Sequence, residues 1–273
     1  MTSKLYRRVL TIAGSDSGGG AGIQADLKTF AANGCYGMSV LTALTAQNTR
    51  GVTGIHPVPM GFVAQQIDAV LSDIGVDAVK IGMLYSPELI ETVARKLQEY
   101  GIGQIVLDPV MVAQSRDPLL QGDAVAALKT RLVPLAEIIT PNIPEAAVLL
   151  GRKLSRADEL AGAAAELAGL RCRNVLVKGG HLDGAECDDV LFLGAEQRIV
   201  HLAGERIATR NNHGTGCTLS SAIAARLAHG DDMEEAVRRA KRYITEAIRA
   251  GADYAIGHGH GPVHHMWPYW SPA

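Results

Sequence analysis

The chain has 273 residues, of which 47% are apolar and 20% charged, a composition typical of a globular protein that can bury a substantial core. Its 26 Lys and Arg against 28 Asp and Glu leave a formal net charge of -2 without a block of like charges, so charge offers no argument for a nucleic-acid or membrane-surface partner. Aromatic residues are only 4% of the chain, too few to indicate a surface on which bases stack.

Short apolar runs alternate with amphipathic segments along the whole chain. In the first half this pattern predicts strands at 9–14, 37–48, 77–84 and 105–111, with helices at 22–32, 61–74, 87–100 and near 122–132. In the second half it predicts strands at 138–142 and 174–180, helices from Pro144 and at 156–170, an antiparallel pair at 188–193 and 198–204, and closing helices at 215–229 and 232–250.

Strands without polar alternation, separated by helices, indicate a mostly parallel sheet that is covered on both faces. We find no internal repeat and no linker, so we expect residues 1–273 to form one α/β/α domain.

In such a fold, ligands bind beyond the carboxyl ends of the strands. Polar or unusual residues stand at these predicted ends, namely Gly14–Asp16, Gln47–Asn48, Gly82–Met83, Asp108–Val110, Pro141–Asn142 and Lys178–Gly180. One rim of the sheet therefore collects nearly every polar candidate for a functional site.

The first strand is followed by a glycine-rich loop, GSDSGGGAG at 14–22. It is not a phosphate-binding P-loop, because Gly20 stands where that motif needs lysine, and Ile23 breaks the dinucleotide-binding pattern. One interpretation is a flexible connection between strand and helix. Because consecutive glycines are destabilising unless the backbone must approach another group closely, the sequence favours contact with a ligand.

A second glycine motif, HGTGCT at 213–218, precedes a predicted helix. The segment is either a plain turn or an anion-binding helix N-terminus, and the two closely spaced glycines favour anion binding. Cys217 lies in the first turn, where the helix dipole lowers the pKa of a thiol. From its position alone, however, the pattern favours an inert small apolar residue, because a lone buried cysteine is more often that than a reactive thiol.

Oxygen-bearing side chains gather at the same rim. Asp108, Asn142 and Glu145 are the type of ligand that suits Mg²⁺ held partly by water and phosphate. Asn142 could instead cap a helix, and Glu145 could be a first-turn helix charge. Lys178 at a strand end supports a phosphate site only as a member of this set. The histidine-rich tail at 257–265 is predicted to be an ordered loop, since its glycines give no rigid metal site.

The four cysteines form no C-x-x-C pair, and no stretch reaches the length of a transmembrane helix. The apolar run Val9–Ala13 is too short for the core of a secretory signal. We therefore expect reduced thiols and a soluble cytoplasmic protein without a membrane partner.

The motifs resemble, in family order, those of the hydroxymethylpyrimidine/phosphomethylpyrimidine kinases of thiamine biosynthesis, in the ribokinase-like superfamily. The resemblance is carried by IAGSDSGGGAGIQADLKTF (12–30), TAQNTRGV (45–52), KIGML (80–84), LDPVMVA (107–113), ITPNIPEA (139–146), VLVKGGH (175–181), HGTGCTLSSAIAA (213–225) and GHGHGPVHH (257–265). It implies a ribokinase-like three-layer α/β/α sandwich.

The resemblance also implies an activity. Such an enzyme uses ATP and Mg²⁺ to phosphorylate 4-amino-5-hydroxymethyl-2-methylpyrimidine, and then phosphorylates the monophosphate to the pyrophosphate. Members of the family are typically homodimers. Two alternatives remain open, a pyridoxal kinase of the same family and a catalytically silent pyrimidine-binding module.

By the same resemblance, site residues fall into four groups. The pyrimidine pocket would comprise Gln47, Gly14, Asp26, Ala21, Met83 and Val110. Residues facing ATP would be Lys178, Asn142, Thr209, Arg210 and Gly179. Asp108 and Glu145 would organise Mg²⁺, and the anion hole would be formed by Gly214, Thr215, Gly216 and Cys217.

Many ribokinase relatives have aspartate at the position of Cys217, which makes this cysteine a candidate general base if the helix start acidifies its thiol. An alcohol acceptor must lose a proton, whereas a phosphate monoester is already mostly deprotonated. The loss of Cys217 is therefore predicted to slow the first phosphorylation far more than the second.

Three positions depart from the family pattern. Gln114 and Arg116 stand where A-K-S-G is usual, and Asn212 replaces a threonine before the HGTGC motif. None of them removes a residue of the predicted catalytic core.

Overall fold

The computed structural model describes residues 4–111, 123–180 and 187–270. Within these residues the strands are β1 Arg8–Ala13, β2 Tyr36–Leu41, β3 Ala43–Asn48, β4 Gly51–Pro57, β5 Ala78–Ile81, β6 Ile105–Leu107, β7 Ile138–Ile139, β8 Asn174–Val177, β9 Asp189–Leu193 and β10 Arg198–Leu202. The α-helices are α1 Gly22–Ala32, α2 Met60–Asp73, α3 Pro87–Glu99, α4 Ala124–Ala127, α5 Ile143–Leu150, α6 Leu160–Ala168, α7 Thr215–His229 and α8 Met233–Gly251.

One large sheet organises the chain, with the strand order β10-β9-β8-β7-β6-β5-β1-β2. The pairs from β2 through β8 are parallel, and β9 and β10 add antiparallel strands at one edge. Strands β3 and β4 form a separate antiparallel ribbon. The predicted mostly parallel sheet and its antiparallel excursion are therefore confirmed.

Helices cover both faces of the sheet, because alternate residues of the buried strands point to opposite sides. Leu10 of β1 packs in the core under α2 to α6, whereas its neighbour Val9 packs in the core under α1, α7 and α8. Two cores on either side of one sheet give the expected three-layer architecture. Among the described residues, no helix has the length and apolar character needed to span a membrane.

The site lies where the winding of the chain reverses. Helix α1 leaves β1 on one face of the sheet and α3 leaves the adjacent β5 on the other. Open α/β sheets bind ligands at the carboxyl ends of the strands where the winding reverses, which here are β1 and β5.

The predicted element boundaries differ most at 37–48 and at β4. The single strand predicted over 37–48 is two strands, β2 in the large sheet and β3 in the ribbon. Strand β4 was not predicted, because its sequence GVTGIHP carries glycine and proline and is largely exposed, which weakens both strand signals. The strand predicted at 105–111 ends at Leu107 because Asp108–Met111 leave the sheet.

Candidate active site

Residues 214–217, here called the anion turn, begin α7. Gly214 has φ +79°, and a Cβ at this position would collide with the Gly20 carbonyl oxygen. The first N–H groups of an α-helix have no intrahelical acceptor and carry a partial positive charge. At Gly216 an added Cβ would lie 3.4 Å from Lys178 Nζ and 3.6 Å from Asp108 Oδ2, so the turn, Lys178 and Asp108 border one small space.

The glycine-rich loop folds around its own aspartate. The Asp16 carboxylate accepts hydrogen bonds from the N–H groups of Gly18, Gly20 and Ala21 at 2.8, 3.0 and 2.8 Å. A side chain at Gly20 would collide with the His213 ring. The glycines thus allow the loop backbone to pack closely against His213, the residue before the anion turn. The N–H groups of Gly18, Gly20 and Ala21 already donate to Asp16.

Lys178 and Asp108 form the charged centre of the site. Lys178 Nζ donates to Asp108 Oδ1 at 2.9 Å, and Thr140 donates to the same oxygen at 3.1 Å. Burial acts to raise the pKa of Asp108, but Lys178 and Lys80 outweigh it and hold that pKa below its usual range. Asp108 is therefore an ionised carboxylate that is only 2% exposed.

Asn142 and Glu145 begin α5 as a capping box. Asn142 Oδ1 accepts from the Glu145 N–H at 2.9 Å, and Glu145 Oε2 accepts from the Asn142 N–H at 2.8 Å. The capping and first-turn interpretations are both confirmed. Glu145 still belongs to the site, since its Oε2 lies 4.0 Å from Lys178 Nζ. Burial raises the pKa of Glu145 to about 7, although Lys178 opposes the shift.

The carboxylates fit Mg²⁺ that is shared with phosphate. No group of three His, Cys, Asp or Glu in the described ranges could hold a metal by itself. Mg²⁺ usually takes one or two carboxylates and completes its shell with water and phosphate oxygens. Asp108 and Glu145, linked through Lys178 beside the anion turn, match that donor set.

The expected acidification of the Cys217 thiol is wrong. Burial raises its pKa to about 11, while Lys80 lowers it and Asp26 and Asp108 raise it. A helix start lowers a thiol pKa only when it outweighs desolvation, and here it does not. At pH 7 a thiol whose pKa is raised in this way is almost entirely protonated.

Asp26 is fully buried and does not lie on the surface of the site. It is 0% exposed and accepts from Lys80 Nζ at 2.9 Å on both carboxylate oxygens. Thr11 and Ser221 donate to it at 2.6 and 2.7 Å. The predicted contact between Asp26 and substrate is therefore not supported. Lys80, which sequence reasoning missed, is a fully buried cation whose charge acts on both Cys217 and Asp108.

The other predicted pocket residues gather at the ends of β1 and β5. A Cβ on Gly14 would be 2.7 Å from Met83 Cε, which places these two residues side by side. Ala21 follows in the loop around Asp16. The Val110 N–H donates to the Asp108 carbonyl oxygen at 2.8 Å, which ties Val110 to the charged centre.

Gln47 is the penultimate residue of β3 and directly follows a bulge that shifts the register between Ala46 and Gln47. Its side chain lies 3.3 Å from His213 Nε2 and 3.2 Å from Thr45 Oγ1. His213 also contacts Asp16 Oδ2 at 2.9 Å. The sequence placed Asp16 at the rim and His213 in a glycine motif, but neither residue was assigned a role in the site.

Two predicted ATP-facing positions contact neighbouring elements, and a third is exposed. Thr209 donates to the Ala252 carbonyl oxygen at 3.0 Å, and Arg210 is exposed. The Gly179 N–H donates to Asp189 Oδ1 at 2.9 Å, so this glycine is packed against the start of β9. Of the three departures from the family pattern, Asn212 is exposed, whereas Gln114 and Arg116 lie outside the described residues.

The histidine-rich tail packs against the anion turn. The His213 N–H donates to the Gly261 carbonyl oxygen at 2.9 Å. Thr218 donates to the Gly214 carbonyl oxygen at 2.8 Å and lies 3.0 Å from His265 Nε2. Burial lowers the pKa of His265 to about 3, so the ring is neutral. Because Thr218 spends its single hydrogen on Gly214, His265 Nε2–H must be the donor to Thr218.

The chain is similar to known proteins over most of its length. The sequence profile described as phosphomethylpyrimidine kinase matches residues 16–264. A thiamine biosynthesis bifunctional protein of Geobacter sulfurreducens is 57% identical over 258 residues, covering 94% of this chain and 52% of the relative. The chain thus spans about half the length of that relative. The hydroxymethylpyrimidine/phosphomethylpyrimidine kinase of Rhizobium meliloti is 54% identical over 262 residues, covering 96% of this chain and 97% of the relative.

A solved structure gives the same fold. The pyridoxal kinase of Bacillus subtilis, in complex with ADP, superposes with a TM-score of 0.88 at 38% identity, covering 96% of this chain and 98% of that one. A family match over most of the chain and a relative of equal length both point to one assignment. The chain belongs to the phosphomethylpyrimidine kinase family and is a kinase of the ribokinase-like fold.

Proposed function

We propose that this chain transfers the terminal phosphoryl group of ATP to the hydroxymethyl group of 4-amino-5-hydroxymethyl-2-methylpyrimidine, and then phosphorylates the resulting monophosphate. The observation that carries the proposal is the anion turn of α7, which faces Lys178 and Asp108 across one small space. The names of the relatives support the choice of substrate.

The anion turn and Lys178 would bind the phosphates. Helix N–H groups and a lysine that is held in place by Asp108 present fixed positive charge before the reaction begins. Phosphoryl transfer depends mostly on such positioning and charge stabilisation. Asp108 and Glu145 would hold Mg²⁺, which neutralises phosphate charge when it is bound. Thr209, Arg210, Gly179 and Asn142 are proposed to line the nucleotide side.

Cys217 is proposed to accept the proton of the first acceptor in its thiolate form. Burial keeps the thiol protonated at neutral pH, and its pKa is raised to about 11. The nearby Lys80 ammonium favours the thiolate and so limits that rise. The second acceptor, a phosphate monoester, needs no such base because its second pKa is about 6.

The pyrimidine would lie in the crevice between Gln47, Gly14 and Met83, with Ala21 and Val110 at its edges. Gln47 carries both a donor and an acceptor on one amide, which suits an aminopyrimidine edge. The side chain is half-buried, so a ligand can reach it from solvent.

A cytoplasmic homodimer completes the proposal. Leu44 and Ile55, on opposite faces of the ribbon formed by β3 and β4, are 45% and 48% exposed, and Phe62 of α2 is 56% exposed. Large apolar side chains that stay exposed on both faces of a two-stranded ribbon favour its contact with another protein surface. A second copy of the chain is the partner we propose.

ADP release measured with the purified chain, ATP and Mg²⁺ tests the substrate. The pyrimidine alcohol is expected to give a kcat/KM at least about 10-fold above that of pyridoxal, because the crevice presents an amide to an aminopyrimidine edge. Pyridoxal kinase is the second candidate, favoured by the superposition on the Bacillus subtilis enzyme. Faster turnover of pyridoxal would replace the proposal, and binding of pyrimidine without ADP release would indicate a silent binding module.

A further inference from the structure

The Gln47 side chain is held between two groups whose hydrogens can be assigned. Its amide nitrogen lies 3.3 Å from His213 Nε2, and its amide oxygen lies 3.2 Å from Thr45 Oγ1. His213 Nε2 also lies 2.9 Å from Asp16 Oδ2. The chemistry of Asp16, His213 and Thr45 therefore decides which way round the Gln47 amide can stand.

Asp16 can only accept hydrogen bonds. Its carboxylate takes three backbone N–H groups of the loop, and it is 2% exposed. Burial acts to raise its pKa, but the contact with His213 and the backbone N–H groups lower it below the ordinary value. The hydrogen between Asp16 and His213 is consequently carried by His213 Nε2.

Two contacts then conflict with the amide as it stands. A protonated His213 Nε2 faces the Gln47 amide nitrogen, so two donors meet. Thr45 Oγ1 donates its one hydrogen to the Ser15 carbonyl oxygen at 2.8 Å, so its lone pairs face the Gln47 amide oxygen. Exchange of the two amide atoms relieves both conflicts, because the oxygen then shares the His213 Nε2–H with Asp16 Oδ2 as the longer arm of a bifurcated hydrogen bond, and the nitrogen donates to Thr45.

We propose that Asp16 and His213 are positioning residues that fix the Gln47 amide with its oxygen on the His213 side, and thereby determine which way round the pyrimidine binds. This inference rests on the proposed function. An aminopyrimidine edge presents a ring nitrogen that accepts next to an amino group that donates. The amino group must therefore pair with the amide oxygen, on the side of His213.

The orientation has a consequence for the reacting group. In the proposed substrate the hydroxymethyl group is attached to the ring carbon beyond the amino-bearing carbon. When the amino group lies on the His213 side, the hydroxymethyl group lies farther toward that side as well. His213 immediately precedes the anion turn, so the acceptor hydroxyl is placed next to the phosphate site. The reversed amide would direct it away.

The test compares two ligands that differ only in the hydrogen-bonding edge that would face the Gln47 amide. The 4-amino pyrimidine alcohol donates from its amino group and accepts at its ring nitrogen, whereas the 4-oxo analogue accepts at oxygen and donates from ring N–H. Titration calorimetry gives Kd for each ligand in wild type, His213→Met and His213→Gln. Methionine removes the donor, and glutamine returns an N–H close to the position of imidazole Nε2.

We expect the preference of wild type for the amino compound to fall about 10-fold in His213→Met, because the released amide can turn to pair with either edge. His213→Gln should recover most of that preference, and Kd for ATP should stay within about 2-fold in both variants. Adding His213→Met to a Gln47→Ala background should change the preference no further, as expected for two residues acting through one contact.

The contrary results separate this inference from the function beneath it. If His213→Met weakens both pyrimidines equally and leaves the preference unchanged, His213 is a packing residue and the proposed positioning is overturned. If the folded wild-type chain binds neither pyrimidine but still binds ATP, the proposed function fails and this inference fails with it.

Discussion

The buried pair of Asp26 and Lys80 gives the sharpest test of how the site is supported. Asp26→Asn preserves shape but removes the only negative charge that contacts Lys80 in the described structure, where both side chains are 0% exposed. Removing one partner of a buried ion pair costs about 3–5 kcal/mol, because the other charge is left without compensation. A contact with substrate would instead leave the folding free energy nearly unchanged.

Urea unfolding measures the effect. With a denaturant slope of about 3 kcal/mol/M, a loss of 3–5 kcal/mol lowers the unfolding midpoint by about 1–2 M. Asp68→Asn is the matched control, because Asp68 pairs with Lys96 while 39% of its side chain is exposed. Exposed pairs contribute about 1 kcal/mol or less, so this midpoint should move by less than about 0.4 M.

The outcome decides the role of Asp26. A shift below about 0.4 M for Asp26→Asn, together with a large increase in KM for the pyrimidine, would refute the supporting role. It would restore Asp26 to the substrate pocket, as the sequence predicted. A large shift in the midpoint with KM unchanged in the surviving folded enzyme supports the role argued here.

Three further predictions concern catalysis and pH. Burial raises the pKa of the Cys217 thiol to about 11, so kcat for the first phosphorylation should rise as the pH approaches that value. Cys217→Ala should flatten this pH profile and leave the rate of the second phosphorylation unaffected. Parallel losses of rate in both steps would indicate that Cys217 is a packing residue. Gly214→Ala should lower kcat more than about 100-fold, because the added Cβ would collide with the Gly20 carbonyl oxygen. Gly230 also has a positive φ but has open space around it, so Gly230→Ala should leave kcat within about 2-fold. Equal effects of the two substitutions on kcat would count against the close packing of the anion turn. Burial raises the pKa of Glu145 from 4.5 to about 7, so between these pH values the folded state keeps a proton that the unfolded state has lost. The free energy of unfolding should therefore fall as the pH rises from 4.5 to 7. Glu145→Gln should remove this dependence on pH, and an unchanged dependence would contradict the burial argument.

The sequence was sufficient for the architecture because buried strands and amphipathic helices carry strong local patterns. Strands β1 and β5 and helices α1, α3 and α7 lie close to their predicted positions. The missed β4 shows the limit, because an exposed ribbon with glycine and proline lacks both patterns. The β3–β4 pair is a local hairpin with a two-residue connection at 49–50, but the register shift between Ala46 and Gln47 breaks the regular alternation by which such a pair is predicted.

The site was only partly predictable. Glycine motifs and strand ends correctly indicated where Lys178, Asp108 and the anion turn would meet. The charge and protonation states of buried side chains could not be predicted from these motifs. Lys80 looks like an ordinary strand residue until the fold encloses it with Asp26, and the pKa of Cys217 depends on burial that sequence position alone does not reveal.

Product masses, followed over time, test the central claim most directly. The purified chain is incubated with the pyrimidine alcohol, ATP and Mg²⁺, and the pyrimidine products are identified by mass spectrometry. We predict that the monophosphate accumulates first and is then converted to the pyrophosphate, with one ADP formed for each phosphate added. A product that never advances beyond one phosphate would contradict the two-step account, and absence of any phosphorylated pyrimidine would contradict the proposed function as a whole.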